Sequence, residues 1–365
     1  MGNLTNFTAI GAISGTSMDA IDVSIVETDG RDHVIPGPGR SYPYDPALRA
    51  TLLKLIAAPE IAETDPLTEL EEAVTDAHVA AIQRFILETG VDRDKIDLVG
   101  MHGQTVYHRP EKRFTRQFCL GARAAKKLGL DVVARFRHAD VAAGGEGAPF
   151  APLYHRALAA KLPQPVMVLN LGGVGNVTYI DGETVIAFDT GPASALLDDF
   201  VLRRTGKPFD DGGALAATGK VDHQMVAGWM RNPFFDRPAP KSLDRQDFHA
   251  RAKNVETLSD ADGAATLTEF TISATVDALR HVPTAPKRWL VTGGGRLNQT
   301  YLRRLRERLG VPVEPVEAVG WQGDFIEAQC FGYLAARSRL GLPLSLPTTT
   351  GAPEPMTGGE FWAAA

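Results

Sequence analysis

Residues 166–199 constrain the fold of this chain more than any other stretch: VMVLNLGGVGNVTYIDGETVIAFDTGPASALLDD. Val166 to Leu171 is an apolar run of strand length that stops at Gly172-Gly173. A second strand is read at Val177 to Ile180, and a third ends on Phe188-Asp189-Thr190-Gly191-Pro192. A helix pattern begins at Ala193. An acid at the carboxyl end of a strand, facing a helix N-terminus, occupies the position where open α/β sheets place their chemistry. Alone, Asp189 would read as a helix cap. Other stretches of the chain argue for more.

The stretch Phe7 to Glu27, FTAIGAISGTSMDAIDVSIVE, places two β-rich runs around Ser14-Gly15-Thr16-Ser17. It repeats the plan of residues 166–180: strand, small-residue turn, strand with a polar residue just past the turn. A chain holding two such units is expected to form two similar lobes. Asp45-Pro46 and Asp65-Pro66 each open a helix, with Asp as cap and Pro at the first helical position. The second helix carries Leu67, Leu70, Val74, Ala77, Ala81 and Phe85 at helical spacing up to Gly90. Ile96 to Met101 reads as a buried strand that delivers His102-Gly103-Gln104-Thr105, and Val132 to Phe136 as one that delivers Arg137 and Asp140. Trp289 to Thr292 leads into Gly293-Gly294-Gly295, residues 206–262 read as irregular, and a helix over about 324–340 carries Glu327. Strands alternating with helices across short glycine turns give an α/β class with mostly parallel, helix-flanked sheets. Residues 1–137 are read as the first lobe and 138–340 as the second, with the hinge near 135–150. The Pro/Thr/Gly-rich tail from Pro343 reads as surface chain, and residues 341–365 as packing back on the first lobe.

With 365 residues, 44% hydrophobic and 22% charged, the chain has a globular balance. A net charge of -6 without a basic segment argues against a nucleic-acid partner. Cys119 and Cys330 have no metal-like or CxxC spacing, which suits a reducing compartment and gives no disulfide framework. The N-terminus lacks the positive and apolar regions of a signal peptide, and no apolar run is long enough to span a membrane. A cytoplasmic protein is expected.

Three small-residue turns follow strands: Ser14 to Ser17, Gly172 to Asn176, and Gly293 to Gly295. Consecutive small residues let backbone N–H groups converge on anionic oxygens. The hydroxyls of Thr16 and Ser17 add donors, and Asp19 and Asp22 are the acids placed to hold a hydrated cation; Mg2+ takes only one or two carboxylates and keeps its waters. A nucleoside triphosphate clamped between two lobes would use all three turns. The chain has no Walker-type P-loop, no GxGxxG fingerprint, no HExxH and no GxSxG elbow, so P-loop, dinucleotide, zincin and serine-hydrolase readings lose their main support. His102, Gln104, Arg137, Asp140, Asp189 and Glu327 form the mix of hydrogen-bonding groups a sugar site needs, whereas His108 and His138 read as surface or structural.

Seven motifs carry a family resemblance: GTSMDAID (Gly15 to Asp22), HGQTVYH (His102 to His108), GGEGAPFAP (Gly144 to Pro152), LNLGGVGNVT (Leu169 to Thr178), FDTGP (Phe188 to Pro192), VTGGGRLN (Val291 to Asn298) and GDFIEA (Gly323 to Ala328). In this order, over residues from about 9 to 340, the chain resembles the anhydro-N-acetylmuramic acid kinase family. The resemblance implies two RNase H-like (actin-like ATPase) lobes with a nucleotide cleft between them, MgATP as co-substrate, and a homodimer. It implies that Gly15, Thr16, Ser17, Met18, Asp19, Ala20, Ile21 and Asp22 form one phosphate loop and Gly172 and Gly173 a second, with Gly293 and Gly294 near the nucleoside. It implies Asp189 as catalytic base and Glu327 as a sugar-contacting acid. The family's reaction opens a 1,6-anhydro ring with water and phosphorylates O6, giving N-acetylmuramic acid 6-phosphate and ADP. The chain departs from the family at Ala20 (usually Gly), Glu146 (Gln), Ala193-Ser194 (Gly-Asn) and Leu243-Asp244 (Thr-Gly). Two further readings stay open: a levoglucosan-type anhydrosugar kinase, and a nucleotide-switched binding module of the actin or heat-shock-chaperone kind.

Overall fold

The structure, a computed structural model, describes residues 6–364 apart from Thr16 and residues 244–246. Its first unit is built on β1 (Phe7–Ser14), β2 (Ala20–Thr28), β3 (Val34–Pro43), β4 (Leu98–Arg109), β5 (Phe114–Phe118) and β6 (Val132–Ala134). β1, β2 and β3 form an antiparallel meander, while β4 runs parallel to β1 and β6 parallel to β4. The resulting order, β3-β2-β1-β4-β6, is that of an RNase H-like sheet. Alternation along β1 sends Ile10 and Ala12 into the same core as Val74, Ile82 and Phe85 of the helix Thr68–Thr89. Burying an aromatic or aliphatic side chain of this kind contributes roughly 1.5–3 kcal/mol. The other face is covered by the helix Ile326–Arg339 at close range: a Cβ on Gly11 would lie 1.7 Å from the Ala328 carbonyl oxygen, and one on Gly100 would lie 2.0 Å from that of Phe331. Only glycine permits that approach.

The second unit repeats the plan. β7 (Val166–Leu171), β8 (Val174–Asp181) and β9 (Thr184–Pro192) form an antiparallel meander, and β10 (Arg288–Thr292) and β11 (Val313–Pro315) add in parallel beside β7. The order β9-β8-β7-β10-β11 matches the first sheet strand for strand. Its core joins Leu169, Phe188, Phe200, Phe270 and Trp289 with Phe234, Phe235 and Phe248. The last three come from the region read as irregular. That region carries short helices, Ala214–Thr218 and His223–Trp229, and its aromatics Trp229, Phe234, Phe235 and Phe248 are core rather than loop.

The chain then returns to the first unit through the helix Ile326–Arg339 and ends on β12 (Glu360–Trp362), antiparallel to β6. Compact units are therefore residues 1–160 with 325–365, and 161–324. Residues 138–160 and the Glu327 helix, read as second lobe, cluster with the first unit; a helix pattern does not reveal which sheet it will cover. The tail read as surface chain packs inward, with Leu344, Ser345, Thr349, Thr350 and Ala352 buried. Among the described residues no helix is long and apolar enough to cross a membrane.

Candidate active site

In the first unit, β4 carries a bulge. Met101 pairs with Ala12 and Gly103 with Ile13, so His102 is the extra residue between them. A bulge re-aims a side chain beside a site without ending the strand. The buried His102 ring accepts Arg137 Nε–H at Nε2 (2.8 Å), which leaves Nδ1 to donate to the Gly103 carbonyl (2.9 Å). Burial, reinforced by the Arg137 charge, holds its pKa well below the ordinary histidine value. His102 is a neutral orienting group. Arg137 also donates Nη1–H to the Gly147 carbonyl (2.6 Å) and lies over the Phe150 ring. Glu327, in the first turn of its helix, stays exposed, yet the protein packed around it raises its carboxyl above the usual range; Arg137 opposes that shift and Asp22 adds to it. Glu327 therefore interacts electrostatically with both Arg137 and Asp22.

Gln104 and Asp140 act inward. Gln104 accepts from Ser14 Oγ (2.6 Å) and donates to the carbonyls of Thr105 (3.1 Å) and Gly15 (3.4 Å), tying β4 to the start of the first turn. Asp140 accepts from the Gly147 N–H (2.7 Å), Thr350 Oγ1 (2.7 Å) and Ser345 Oγ. Both of its oxygens are used, so Asp140 staples the Gly144–Gly147 loop to the tail. His108 bridges Thr115 Oγ1 and the Glu146 carbonyl, a structural role as read. The departure at Glu146 leaves an exposed side chain on that loop.

The first turn is shaped by a residue the sequence reading missed. Arg49 donates to the Ser17 carbonyl (3.3 Å), the Met18 carbonyl (3.0 Å) and Asp19 Oδ1 (2.6 Å), while Met18 itself holds a left-handed φ of 53°. Nothing in the sequence around Arg49 signals this contact. Thr16 lies outside the described residues. Ala20 opens β2, Ile21 is buried in the core, and Asp22 accepts from Ser41 Oγ (2.5 Å). A hydrated Mg2+ would fit Asp22, a partly exposed carboxylate within electrostatic reach of Glu327. Asp19 fits less well, because its carboxylate is ion-paired with Arg49.

In the second unit the turn Gly172-Gly173 caps the following helix: the N–H groups of Ala193 and Ala195 bond the Gly173 carbonyl, and that of Ser194 bonds the Gly172 carbonyl (2.9 Å). The Ala193-Ser194 departure thus sits where the main chain makes the contacts. Glycine at Gly15 and Gly294 is required neither by a positive φ nor by packing, since an added Cβ meets nothing within 4 Å. At Gly172 it would meet only ordinary contacts from 3.6 Å. Open main chain of this kind suits close approach of an anion. Gly293 differs: φ is +73° and a Cβ would lie 2.3 Å from Asn170 Oδ1, so the turn itself requires glycine. Buried Arg296 donates to the Gly293 carbonyl (3.2 Å) and pairs with Glu317 and Asp324, fixing that turn.

Asp189 stands beside a second bulge. Gly175 pairs with Gly191 and Asn176 with Asp189, leaving Thr190 extra. The Asp189 N–H donates to the Lys241 carbonyl (2.9 Å), and Oδ2 accepts from the Leu243 N–H (2.8 Å). The Leu243 departure leaves this contact intact because it is made by backbone; Asp244 lies outside the described residues. The carboxylate is thus oriented on one oxygen by a main-chain donor, an arrangement suited to a base.

Residues 7–364 match the profile of the Anhydro-N-acetylmuramic acid kinase family. A protein named anhydro-N-acetylmuramic acid kinase from Rhodopseudomonas palustris (strain BisB18) is 50% identical over 363 residues, spanning 97% of this chain and 99% of that protein. One of the same name from Nitrobacter winogradskyi is 50% identical over 361 residues, spanning 96% and 98%. Another, from Rhodospirillum rubrum, is 48% identical over 359 residues, spanning 98% and 94%. The chain belongs to the anhydro-N-acetylmuramic acid kinase family.

Proposed function

We propose that this chain is an ATP-dependent kinase that hydrolytically opens the 1,6-anhydro ring of anhydro-N-acetylmuramic acid and phosphorylates O6. Family membership along nearly the whole chain carries this reading, and the orientation of Asp189 supplies its chemistry. Asp189 takes a proton from water, whose oxygen attacks the anomeric carbon. The bond from that carbon to O6 breaks, and O6 attacks the γ-phosphorus of ATP as ADP leaves. The sum is anhydro sugar, water and ATP to N-acetylmuramic acid 6-phosphate, ADP and a proton. Carboxylates as a class are weak bases at neutral pH, so positioning carries the rate. Arg137, held by His102 and Gly147, and Glu327 bind and orient the sugar. Open main chain at Gly15 in the first unit, and at Gly172 and Gly294 in the second, supports each as a phosphate contact. Asp22 would hold Mg2+ through one carboxylate, and the ion would neutralise phosphate charge. The enzyme works in the cytoplasm, where ATP is supplied, as a homodimer.

A coupled ADP-release assay tests this. Turnover is expected with 1,6-anhydro-N-acetylmuramic acid, less with 1,6-anhydroglucose, and almost none with N-acetylmuramic acid. Equal rates on the anhydro and ring-opened sugars would sink the ring-opening step. Heavy-oxygen water should leave its label on the anomeric hydroxyl. Asp189→Asn should lower kcat by about 100-fold or more while ATP binding persists.

A further inference from the structure

We infer that Lys241 is a positioning residue for the catalytic base: its side chain clamps the segment that holds Asp189 from two sides. Lys241 is 4% exposed, and Nζ donates to the carbonyls of Phe234 (3.2 Å) and Phe235 (3.1 Å); it also lies 3.2 Å from His281 Nε2, which is itself 3.2 Å from the Phe235 carbonyl. Two of the three ammonium donors meet main-chain carbonyls, both from the turn at Pro233–Asp236. The ammonium also lies over the Phe234 ring at 4.7 Å and the Phe188 ring at 5.9 Å, and Phe188 immediately precedes Asp189. The main chain of the same residue accepts the Asp189 N–H, and two residues on Leu243 donates to Oδ2. Side chain and main chain of residue 241 thus lock the backbone on which the base depends.

Burying an ammonium is costly unless it is fully bonded, and an apolar side chain would fill the same space at less cost. What the ammonium adds is direction. Misplacing a reacting group by about 1 Å costs on the order of 100-fold in rate, so a clamp on residues 241–243 acts on kcat. The charged and titratable groups around Nζ are His281, Arg280 and Asp277 from the end of the Asp260–Asp277 helix and the turn after it, and Asp236 and Arg237 from the turn at Pro233–Asp236. Burial, above all, lowers the Lys241 pKa from 10.5 to about 8. The sign follows: the clamp is charged below pH 8 and loses its third donor and its charge as pH rises through 8. His281 is also held below the ordinary histidine value, first by burial and then by the Lys241 charge.

The proposal rests on Asp189 as base, so the test carries both. Wild type, Lys241→Met, Lys241→Arg and Asp189→Asn are compared for kcat, both KM values and the pH profile, with melting curves in parallel. Lys241→Met is expected to lose about 100-fold in kcat while the KM for ATP moves less than about threefold. Lys241→Arg, whose charge persists, should recover most of the rate and shift the alkaline limb of kcat upward by more than one pH unit. If Lys241→Met fails to fold, the Lys241→Arg profile alone decides. An unchanged kcat in Lys241→Met, or an alkaline limb at the same pH in Lys241→Arg, overturns the clamp. Turnover retained by Asp189→Asn removes the base reading and the clamp with it; an inactive Asp189→Asn beside a fully active Lys241→Met removes the clamp alone.

Discussion

At the scale of single residues, the polar residues on or near the strands were readable, while the strand ends and the partners were not. His102 and Gln104, read as lying past a strand end, sit inside β4, which runs on to Arg109, and Asp140 lies in the helix His138–Ala143; only the fold reveals that Gln104 spends its amide on Ser14 and Asp140 its carboxylate on Ser345 and Thr350. Those partners lie 90, 205 and 210 positions away in sequence, beyond any spacing rule. Asp140→Ala would strand a backbone N–H and two hydroxyls in the interior. A loss of roughly 3 kcal/mol is expected, which for a domain of this size lowers Tm by about 10 °C. Differential scanning calorimetry reads it, and an unchanged Tm would remove Asp140's stapling role. His102→Phe keeps the stacked ring against Phe331 but deletes the acceptor for Arg137 Nε. Sugar KM should then rise about tenfold while ATP KM holds, a loss of ~1.4 kcal/mol for one buried hydrogen bond; parallel changes in both would argue against Arg137 as a sugar ligand.

At the scale of elements, the glycine turns were legible because strand-then-glycine is a local signal. The bulges at His102 and Thr190 were not, since a bulge is a property of two paired strands. The structure also separates glycines that fold the chain from glycines that leave room. Gly15→Ala and Gly294→Ala meet no protein atom within 4 Å and need no positive φ. Such changes should leave Tm level or raise it slightly, because they reduce unfolded-state freedom by about 0.4–1 kcal/mol. The KM for ATP should nevertheless rise about tenfold if phosphate approaches that main chain. Gly293→Ala is the control: with φ at +73° and Asn170 Oδ1 2.3 Å from the new Cβ, it should lower Tm. Unchanged ATP kinetics in Gly15→Ala and Gly294→Ala would remove both turns from the phosphate site.

At the scale of the whole molecule, the two repeated hairpins disclosed two RNase H-like sheets, while the way the chain is divided between them stayed hidden. No compositional break marks residues 160 or 324, and the Ile326–Arg339 helix reads from sequence as a continuation of the second lobe. Its allegiance is set by glycines far away, Gly11 and Gly100, which let it lie against β1 and β4. The second unit is a continuous segment with its own sheet and a core drawn entirely from residues 167–313. The first is interrupted: without the returning helix, the face of β1, β2 and β4 that it covers would meet water, and β6 would lose β12. The helix buries eleven of its fourteen residues, among them Ile326, Phe331, Tyr333 and Leu334. At roughly 1.5–3 kcal/mol for each large apolar side chain, this exceeds the marginal stability of a domain. Excised residues 161–324 should therefore melt in one cooperative transition by circular dichroism. Residues 1–160 alone should not, and joining them to 325–364 through a flexible linker should restore cooperativity. A cooperative melt of 1–160 by itself would show that the returning helix is dispensable to the first unit, and a featureless melt of 161–324 would show that its core is not self-sufficient.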